Sequence, residues 1–406
     1  MKPIIVLILF VCTFVVGQEI FSRSVDSCHL YRDVTQDYLV SVYEFTTQAY
    51  KDVGRRSLYH FIFCPLSVWI ILAAMAEGAD PYTQQRLFEL LRLPNDPCVR
   101  LKYYQLATSR YLPGNDVSIL STRSLVLNQG VAVNPYWYNF VSKNRLIDLA
   151  STPLRYDPQR SLNAIRLLSS ATLANIDLSG NSILVDTLDF NGLWSTAFSD
   201  AVIQRSPFYD PLGRKIGAVD LMRVSRRAKM AYVSSINAKI LELPIGVDDR
   251  YRMLFALVLD TTDLDAVVTA IKSTIISEIM SKSLESYVPV EIAIPRFTMT
   301  SEVNVRSILE NLGVRSLWTD PAVTRYISDP AALPSGFVQR STVTLDNRGI
   351  SPAPHVRETP YNVSTGLEDI VGRDFIANRP FLFGLFDTET FTVLMTAIFS
   401  QPTYDY

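Results

Sequence analysis

The chain has few of the residues that most often carry catalysis or bind metals. Its 406 residues include 3 histidines and 4 cysteines. None of His29, His60 and His355 has metal-site spacing, and none follows a nucleophile-elbow pattern with serine. The sequence also lacks a glycine-rich phosphate loop and a CxxC pair. It therefore predicts no enzyme activity, no bound metal and no cofactor.

An excess of charge of either sign is also absent. The 38 Lys and Arg residues nearly balance the 40 Asp and Glu residues, which leaves a formal net charge of -2. Such a balance gives no indication of a nucleic-acid partner. The hydrophobic fraction of 48% is ample for a large core, and 19% charged residues is not the composition of a disordered chain. We expect a folded monomer.

The chain begins with an apolar run, and no later run is long and uncharged enough to be a membrane helix. Lys2 precedes an apolar run over residues 4–16, and Gly17 offers a small residue for cleavage. This pattern is typical of a secretory signal peptide over residues 1–17. An uncleaved membrane anchor is the alternative, although the run is short for a membrane span. We predict a secreted, extracellular protein that has no membrane segment.

The cysteines predict one disulfide and one free thiol. Cys12 is removed with the signal peptide, which leaves Cys28, Cys64 and Cys98. Cys64 lies in an apolar stretch and is expected to be a buried thiol. Cys28 and Cys98 lie in polar stretches and are the expected pair. The alternative is that all three are reduced.

The order of periodic segments predicts an α+β fold. Helical patterns dominate up to about residue 180, and strand patterns such as Leu254–Leu259 and Phe391–Phe399 dominate later. One helix after Pro65 is apolar on every face, so we expect it in the centre of the fold. Thr83 is the expected N-cap of the next helix. No repeat or linker divides residues 18–406, which we predict to form one domain.

Five ordered segments resemble the serpin superfamily. They include a Pro-Leu-Ser start to the buried helix, an F-x-G-x-W-x-x-x-F strand end, an L-E-L-P strand and a closing N-R-P-F-L-F. Each segment alone is weak evidence for the family, whereas all five in the same order and at the family's spacing are specific evidence. The segments are Phe61–Pro94, Leu184–Ser199, Ala238–Pro244, Val290–Phe297 and Ala377–Phe383.

The resemblance implies the serpin fold, a bundle of helices packed on large, mostly antiparallel sheets with an exposed reactive-centre loop. The loop is placed at about residues 347–376. It also implies a suicide mechanism, in which a serine protease cleaves the loop and forms an acyl-enzyme. The loop then inserts as a new central strand of the main sheet before the acyl-enzyme is hydrolysed.

The hinge of this loop departs from the pattern of inhibitory serpins. Gly349 matches the family's glycine, but the acidic pair before it is missing and two prolines interrupt the expected run of alanines. A proline has no N–H to donate to a neighbouring strand, so the sequence predicts that insertion is hindered. An alternation of apolar residues in the same stretch suits an inserted strand. The hinge residues are Gly349, Ile350, Ser351, Pro352, Ala353 and Pro354.

Family spacing places the reactive bond near Val363–Ser364, and a glycosylation sequon begins at Asn362. A glycan on Asn362 would shield this bond from a protease. The alternatives are an unused sequon and a bond several residues later. If the loop is inhibitory, Val363 favours an elastase-like protease.

The polar cluster at which the serpin main sheet opens is also altered. The resemblance places Cys64, Asp186 and Gln339 at positions that hold a serine, an asparagine and a histidine in the family. Ser67 and Trp194 are retained. These changes are expected to alter how easily the sheet opens; neutral drift is the alternative.

A few basic residues before and within the helix after Pro97 could bind a sulfated polysaccharide, as the equivalent region does in some serpins. Arg92, Arg100, Lys102 and Arg110 are sparse, however, and a solvated surface explains them equally well.

Two functions of different class follow from the sequence. The hinge and the sequon favour a secreted, non-inhibitory serpin that binds or carries a protein or small-molecule ligand, or acts in regulation. The alternative is an inhibitor of an extracellular serine protease by the suicide mechanism.

Overall fold

The computed structural model describes Cys28 and residues 32–111, 117–174, 176–198, 202–248, 250–259, 263–271, 275–324, 326–351 and 374–404. Helices are numbered here in chain order. They are α1 (Thr35–Arg56), α2 (Pro65–Glu77), α3 (Pro81–Leu91), α4 (Pro97–Ser109), α5 (Pro135–Lys143), α6 (Pro158–Ser169), α7 (Leu264–Ala270), α8 (Ile275–Lys282), α9 (Val305–Asn311) and α10 (Ser316–Thr319).

The strands carry most of the second half of the chain. They are β1 (Phe61–Phe63), β2 (Val117–Asn128), β3 (Ala132–Val133), β4 (Asp148–Thr152), β5 (Ser182–Leu193), β6 (Val202–Tyr209), β7 (Lys215–Arg226), β8 (Lys229–Val233), β9 (Ala238–Ile245), β10 (Tyr251–Val258), β11 (Leu284–Glu285), β12 (Val290–Asn304), β13 (Ser328–Asp329), β14 (Pro334–Leu345), β15 (Gly349–Ser351), β16 (Phe375–Ile376), β17 (Phe381–Asp387) and β18 (Thr392–Phe399).

Two large sheets form the body. The main sheet has the order β4-β2-β5-β15-β14-β12-β7-β6, with β16 beside β12. The second sheet has the order β1-β18-β17-β10-β9-β8-β11, and β13 pairs with β3. Most neighbours are antiparallel, whereas β5 and β14 run parallel. The α+β prediction with large, mostly antiparallel sheets is confirmed.

Helix α2 lies inside the body, as its apolar composition predicts. All of its residues are buried, and it contacts both sheets and three other helices. Its first residue is Pro65, whose missing N–H is harmless in the first turn. An isolated helix of this composition would expose apolar surface on every face, so it is stable here only because it is enclosed.

An aromatic cluster joins the two sheets. The ring of Phe297 in β12 lies 4.5 Å from that of Phe399 in β18, centroid to centroid. Phe381 stacks on Phe399 at 5.3 Å. These large buried rings fix the separation of the sheets and contribute much of the packing energy of the core.

The other face of the main sheet is covered in part by α6. Ile165 of this helix packs on Ile183, Val185 and Val338 in a separate apolar cluster. The alternation along β5 therefore sends odd-numbered side chains toward α6 and even-numbered ones toward the core.

The helix after α2 begins earlier than expected. Asp80, not Thr83, is the N-cap, and its carboxylate accepts hydrogen bonds from the N–H groups of Tyr82 and Thr83. Thr83 lies inside the first turn, where its hydroxyl donates to Ser316. The prediction was wrong because an aspartate before Pro81 is the stronger cap.

The cysteines adopt the predicted states. Cys28 and Cys98 form a disulfide across 70 residues, with their Cα atoms 5.4 Å apart. It ties the segment before α1 to the first turn of α4. Cys64 is free and buried. Within the part of the chain that the structure describes, no helix has both the length and the apolar composition to cross a membrane.

The disulfide is expected to stabilise the fold because it closes a long loop. The double variant Cys28→Ser/Cys98→Ser should lose about 2–4 kcal/mol of unfolding free energy, since its unfolded chain gains conformational freedom. Urea unfolding of oxidised wild type and variant measures this difference. Reducing agent should destabilise the wild type and leave the variant unchanged. Equal midpoints for the two oxidised proteins would contradict the prediction.

Candidate functional site

The start of the loop is already a strand of the main sheet. Gly349 and Ile350 pair with Leu193 and Gly192 of β5, and Ile350 and Ser351 pair with the end of β14. Ile350 is 1% exposed. The first three hinge residues thus occupy the central position into which a serpin loop inserts.

A tight turn joins β14 to this short strand. The Asp346 carboxylate accepts hydrogen bonds from the N–H groups of Arg348 (2.8 Å) and Gly349 (3.2 Å). The Trp194 indole donates to the Asp346 carbonyl at 2.9 Å, and its backbone N–H donates to the Arg348 carbonyl. Trp194 therefore fixes the point at which the loop leaves the sheet.

Gly349 is required by the close approach of β5. A Cβ atom on Gly349 would lie 2.1 Å from the Gly192 carbonyl oxygen and 2.8 Å from Leu193 Cα. Both contacts are with backbone, so a larger residue would push the hinge away from β5. The glycine at this position is therefore explained by the contact with β5, and no backbone conformation special to glycine is needed.

Beyond the hinge the main sheet is closed. Strands β5 and β14 pair directly, from Asp189 opposite Thr342 to Ser182 opposite Pro334. An inserting loop would have to separate these two strands along that whole length. The contacts between β5 and β14 therefore set the barrier to insertion.

A buried polar cluster bridges the two strands and α2. Gln339 of β14 accepts from the Cys64 N–H (2.8 Å) and donates to the Cys64 carbonyl (2.9 Å) and to the Asp186 carboxylate (2.6 Å). The Ser67 hydroxyl also donates to Asp186. The Cys64 sulfur lies 3.2 Å from the Ser341 hydroxyl. Four of the five predicted cluster residues are thus in contact.

Trp194 is the exception. It lies at the end of β5 and binds the hinge turn, so its assignment to this cluster was wrong. The sequence could not separate them, because Trp194 directly follows the strand that holds Asp186 and both residues are buried. Asp189, three residues after Asp186, points to the opposite face, as strand geometry requires.

Asp186 is a buried carboxyl group without a hydrogen-bonded cation. It is 0% exposed, and burial raises its pKa to about 6, against the lowering effects of the Ser67 and Gln339 hydrogen bonds and of Arg123. Burial likewise raises the pKa of the Cys64 thiol, which keeps it uncharged and poorly reactive. The cluster therefore joins β5, β14 and α2 through buried, uncharged or hydrogen-bonded groups.

Several predicted positions lie outside the described residues. These are the signal peptide at 1–17, most of the reactive-centre loop, and the residues Pro352, Ala353, Pro354, Asn362, Val363 and Ser364.

The basic residues near α4 do not form the exposed patch that polysaccharide binding would need. Arg100 is buried and pairs with Glu77 at 2.7 Å. Arg110 is also buried and pairs with Asp387 at 3.4 Å. Both arginines are satisfied inside the fold, and only Arg92 and Lys102 reach the surface.

A cavity that the sequence did not indicate lies between α1, α8 and the second sheet. Its volume is about 100 Å³, which is below the range of about 300–1,000 Å³ that is typical of small-molecule sites. Its lining is almost entirely apolar. The lining residues are Tyr43, Thr46, Thr47, Tyr50, Ile236, Ile240, Leu254, Ala256, Ile271, Ile279, Leu382, Phe383, Gly384, Phe386, Val393 and Thr396.

Two small residues of the second sheet, Ala256 of β10 and Gly384 of β17, are among the lining residues. The glycine at position 384 is explained by close packing, because a Cβ atom there would lie 2.9 Å from the Phe386 ring and 3.0 Å from the Met395 carbonyl oxygen. The cavity brings together segments from α1 to β18, which lie far apart in the chain, so the sequence did not indicate it.

The family model for Serpin (serine protease inhibitor) matches residues 41–402. The chain belongs to the serpin family. The serpin fold is therefore shown, and the predicted resemblance is confirmed.

Curated relatives are distant. Iripin-3 of Ixodes ricinus is 24% identical over 372 residues, covering 86% of this chain and 92% of the relative. Serpin B11 of Mus musculus is 25% identical over 230 residues, covering 56% of this chain and only 57% of that protein.

Solved serpin structures superimpose over most of the chain. Manduca sexta serpin-12 has a TM-score of 0.76 at 19% identity and covers 90% of this chain and 99% of that one. Thyroxine-binding globulin in complex with thyroxine has a TM-score of 0.78 at 15% identity, with coverage of 91% and 100%. At these identities the likeness shows the fold alone.

The buried Asp186 predicts a pH-dependent stability. Its pKa in the folded protein, about 6, lies above the ordinary aspartate value of 3.8. The stabilisation by the protonated form is therefore complete below pH 3.8 and is lost as pH rises through 6. Asp186→Asn should therefore be more stable than wild type at pH 7.5, by up to about 2–3 kcal/mol. An asparagine can still accept from Gln339 while donating to Ser67.

Urea unfolding at about pH 5 and pH 7.5 measures this effect. Wild type should gain stability at the lower pH relative to Asp186→Asn, because only the wild type takes up this proton. Asp148→Asn, at an exposed position of β4, is the matched control and should follow the wild type. A lower stability of Asp186→Asn at pH 7.5 would contradict the prediction.

Proposed function

We propose that this serpin is a secreted, non-inhibitory protein that carries a small molecule. The observation that supports the loss of inhibition best is the register of β15 between β5 and β14. The secretion part of the proposal rests on the signal-peptide pattern at residues 1–17.

The register tells where each loop residue would lie after insertion. Because Ile350 pairs with Gly192 and Ser351 pairs with Thr344, position 352 would lie between Phe190 and Val343. Position 354 would lie between Leu188 and Ser341. Both of these positions are prolines in this chain.

The prolines suit the side-chain environment but not the backbone. Phe190, Leu188 and Val343 are apolar and face the core, so proline rings would pack there. Residues two apart direct their N–H groups to the same neighbouring strand, where Pro352 and Pro354 have none to donate. Each unmet carbonyl costs about 1–3 kcal/mol.

The polar cluster adds a second obstacle. In the same register Val356 would lie between Asp186 and Gln339, which now share a 2.6 Å hydrogen bond. Insertion would replace that bond with contacts from an apolar side chain to two buried polar groups. Since a barrier raised by about 1.4 kcal/mol slows a step tenfold, these costs favour hydrolysis of an acyl-enzyme over insertion.

A glycan at Asn362 would reinforce this outcome. It would lie beside the expected reactive bond Val363–Ser364 and restrict access by a protease. The sequon is the only one in the sequence.

A carrier also needs a site, and the cavity beside α1 is the one we assign. It is concave, its lining is almost entirely apolar, and it opens to solvent on one side. It lies away from the hinge, so a ligand there would not depend on the loop. Thyroxine-binding globulin, a structural neighbour of this chain, binds the small molecule thyroxine.

Inhibition of an extracellular, elastase-like serine protease is the second candidate. The observation that favours it is that Gly349, Ile350 and Ser351 are already inserted and two of them pair with β14. The alternating apolar residues beyond them continue the same pattern.

Loop cleavage distinguishes the two functions. Wild type and Pro352→Ala/Pro354→Ala are nicked in the loop with a promiscuous protease, and the melting temperatures of intact and nicked forms are compared. Wild type should change by no more than about 3 °C, which corresponds to roughly 1 kcal/mol. The alanine variant should rise further on cleavage, because its loop can donate to the neighbouring strand.

A large rise in nicked wild type, together with a covalent complex with an elastase-like protease on denaturing gels, would establish the inhibitor instead. Asn362→Gln serves as a control for the glycan. It changes access to the loop without changing the hinge, so its nicked form should melt like nicked wild type.

A further inference from the structure

The main sheet is open on one side along the first half of β2. On one side this strand pairs with β5 along its length, starting at Val117. On the other side β4 begins to pair only at Ser124. Within the described part of the chain, the backbone of residues 117–122 is bonded to no element other than β5. These six residues are named here the β2 edge.

The β2 edge lacks the features that usually protect an edge strand. Its sequence is Val-Ser-Ile-Leu-Ser-Thr, which contains no charged residue, proline or glycine. Natural edge strands often carry a lysine, a proline or a bulge, which keeps them from pairing with other chains. Uncharged segments of this length and composition add readily to another strand. Because alternate residues of an antiparallel pair direct both backbone groups outward, half of the β2 edge presents N–H and C=O groups to a partner.

Exposed leucines lie beside this edge on the outer face of the sheet. Leu120 is 67% exposed, and Leu167 in the last turn of α6 is 82% exposed. The Thr122 hydroxyl donates to the Leu168 carbonyl at 3.4 Å, which places the end of α6 over β2. Leu120 and Thr122 are two residues apart in a strand, so their side chains lie on the same face. Leu120, Leu167 and Leu168 are named here the leucine strip.

Positive charge collects at the end of the β2 edge. The Arg123 guanidinium donates to the Arg145 carbonyl at 3.2 Å, so the turn after α5 lies next to this end. Lys143 and Arg145 in that region, and Arg166 of α6, are exposed and form no ion pair with a described residue. Asp148, at the start of β4, is the exposed acid closest to them in sequence. An acidic residue of a partner would be attracted to this end.

We propose that the β2 edge binds an extended segment of another protein, which adds to the main sheet as a further strand. Free backbone groups of a strand are satisfied by another strand, whereas a helix would leave them unpaired. The segment should have apolar side chains on the face that covers the leucine strip and an acidic residue near Arg145. Strand β5 separates this site from the loop hinge, and the cavity lies on the second sheet. The inference therefore goes beyond the proposed function and does not depend on it.

A synthetic peptide with alternating side chains tests the pairing. The probe is Glu-Thr-Val-Thr-Val-Thr-Glu, capped at the N-terminus and labelled with a neutral coumarin at the C-terminus. It places both valines on one face and a carboxylate at each end, so it satisfies the requirement in either direction. Fluorescence anisotropy should show saturable binding to the full-length protein. Absence of binding up to about 1 mM, the weakest affinity of interest, would overturn the proposal.

Backbone methylation separates strand addition from contact through side chains alone. One peptide carries N-methyl groups on the threonines and another carries them on the valines, so that each has one edge blocked. Only one edge of an added strand faces β2, so one methylated peptide should bind like the parent. The other should bind at least about tenfold more weakly, because its hydrogen bonds to β2 are lost. Equal binding of all three peptides, or loss of both methylated ones, would rule out strand addition.

A substitution in the leucine strip locates the site. Leu120→Lys should weaken binding of the parent peptide about tenfold, because an apolar contact is lost. Leu120→Thr preserves the strand propensity and should weaken it about threefold. Leu212→Lys is the matched control: Leu212 is also 67% exposed, but it lies in the hairpin between β6 and β7 at the opposite end of the sheet. Equal losses in Leu120→Lys and Leu212→Lys would show that the peptide binds elsewhere.

A charge variant tests the preference for an acidic segment. Arg145→Gln should bind the parent peptide about twofold to threefold more weakly, the range of an exposed ion pair. It should bind a peptide with glutamine in place of both glutamates as wild type does. The difference should disappear at about 1 M salt, where the charges are screened. Equal affinities of wild type and Arg145→Gln for the parent peptide at low salt would overturn the acidic preference.

A second copy of the chain is the competing occupant of the β2 edge. In that case the protein alone would form a dimer, and Leu120→Lys would return it to a monomer while Leu212→Lys would not. Sedimentation equilibrium at the concentrations of the binding assay distinguishes the two occupants. A monomer that binds the peptide supports the proposal, whereas a dimer that Leu120→Lys dissociates would overturn it in favour of self-association.

Discussion

The direct pairing of β5 with β14 is the constraint on which the behaviour of this serpin depends. The loop hinge already occupies the top of the gap between them, yet below Asp189 and Thr342 the two strands are hydrogen-bonded to each other. Insertion of the loop would require the hydrogen bonds between β5 and β14 to be replaced by hydrogen bonds from these strands to the loop. A loop with prolines at alternate positions makes that exchange incomplete.

The buried cluster under these strands links the exchange to electrostatics. The Asp186 carboxylate accepts hydrogen bonds from Ser67 of α2 and Gln339 of β14, so one side chain of β5 connects this strand to α2 and to β14. Its burial costs stability at neutral pH, while its hydrogen bonds hold the sheet closed. The buried carboxylate thus lowers the free energy of unfolding, whereas its hydrogen bonds oppose the separation of β5 from β14. The first effect compares the folded with the unfolded protein, and the second compares the closed with the open sheet.

The cavity uses a different part of the body. It is formed where α1 and α8 lie over strands of the second sheet. Binding of a ligand in this cavity would not require β5 and β14 to separate. A chain whose loop does not insert can therefore keep the serpin body unchanged.

The sequence by itself determined the α+β class, the serpin family, the buried helix from Pro65, the disulfide and the free thiol, because these follow from local periodicity, composition and ordered motifs. It also placed Cys64, Ser67, Asp186 and Gln339 together through the family resemblance. Only the tertiary structure separated Trp194 from that cluster, turned Arg100 and Arg110 inward, and formed the cavity. These depend on which segments meet in the folded chain, and side-chain contacts between different elements leave no periodic trace in one sequence.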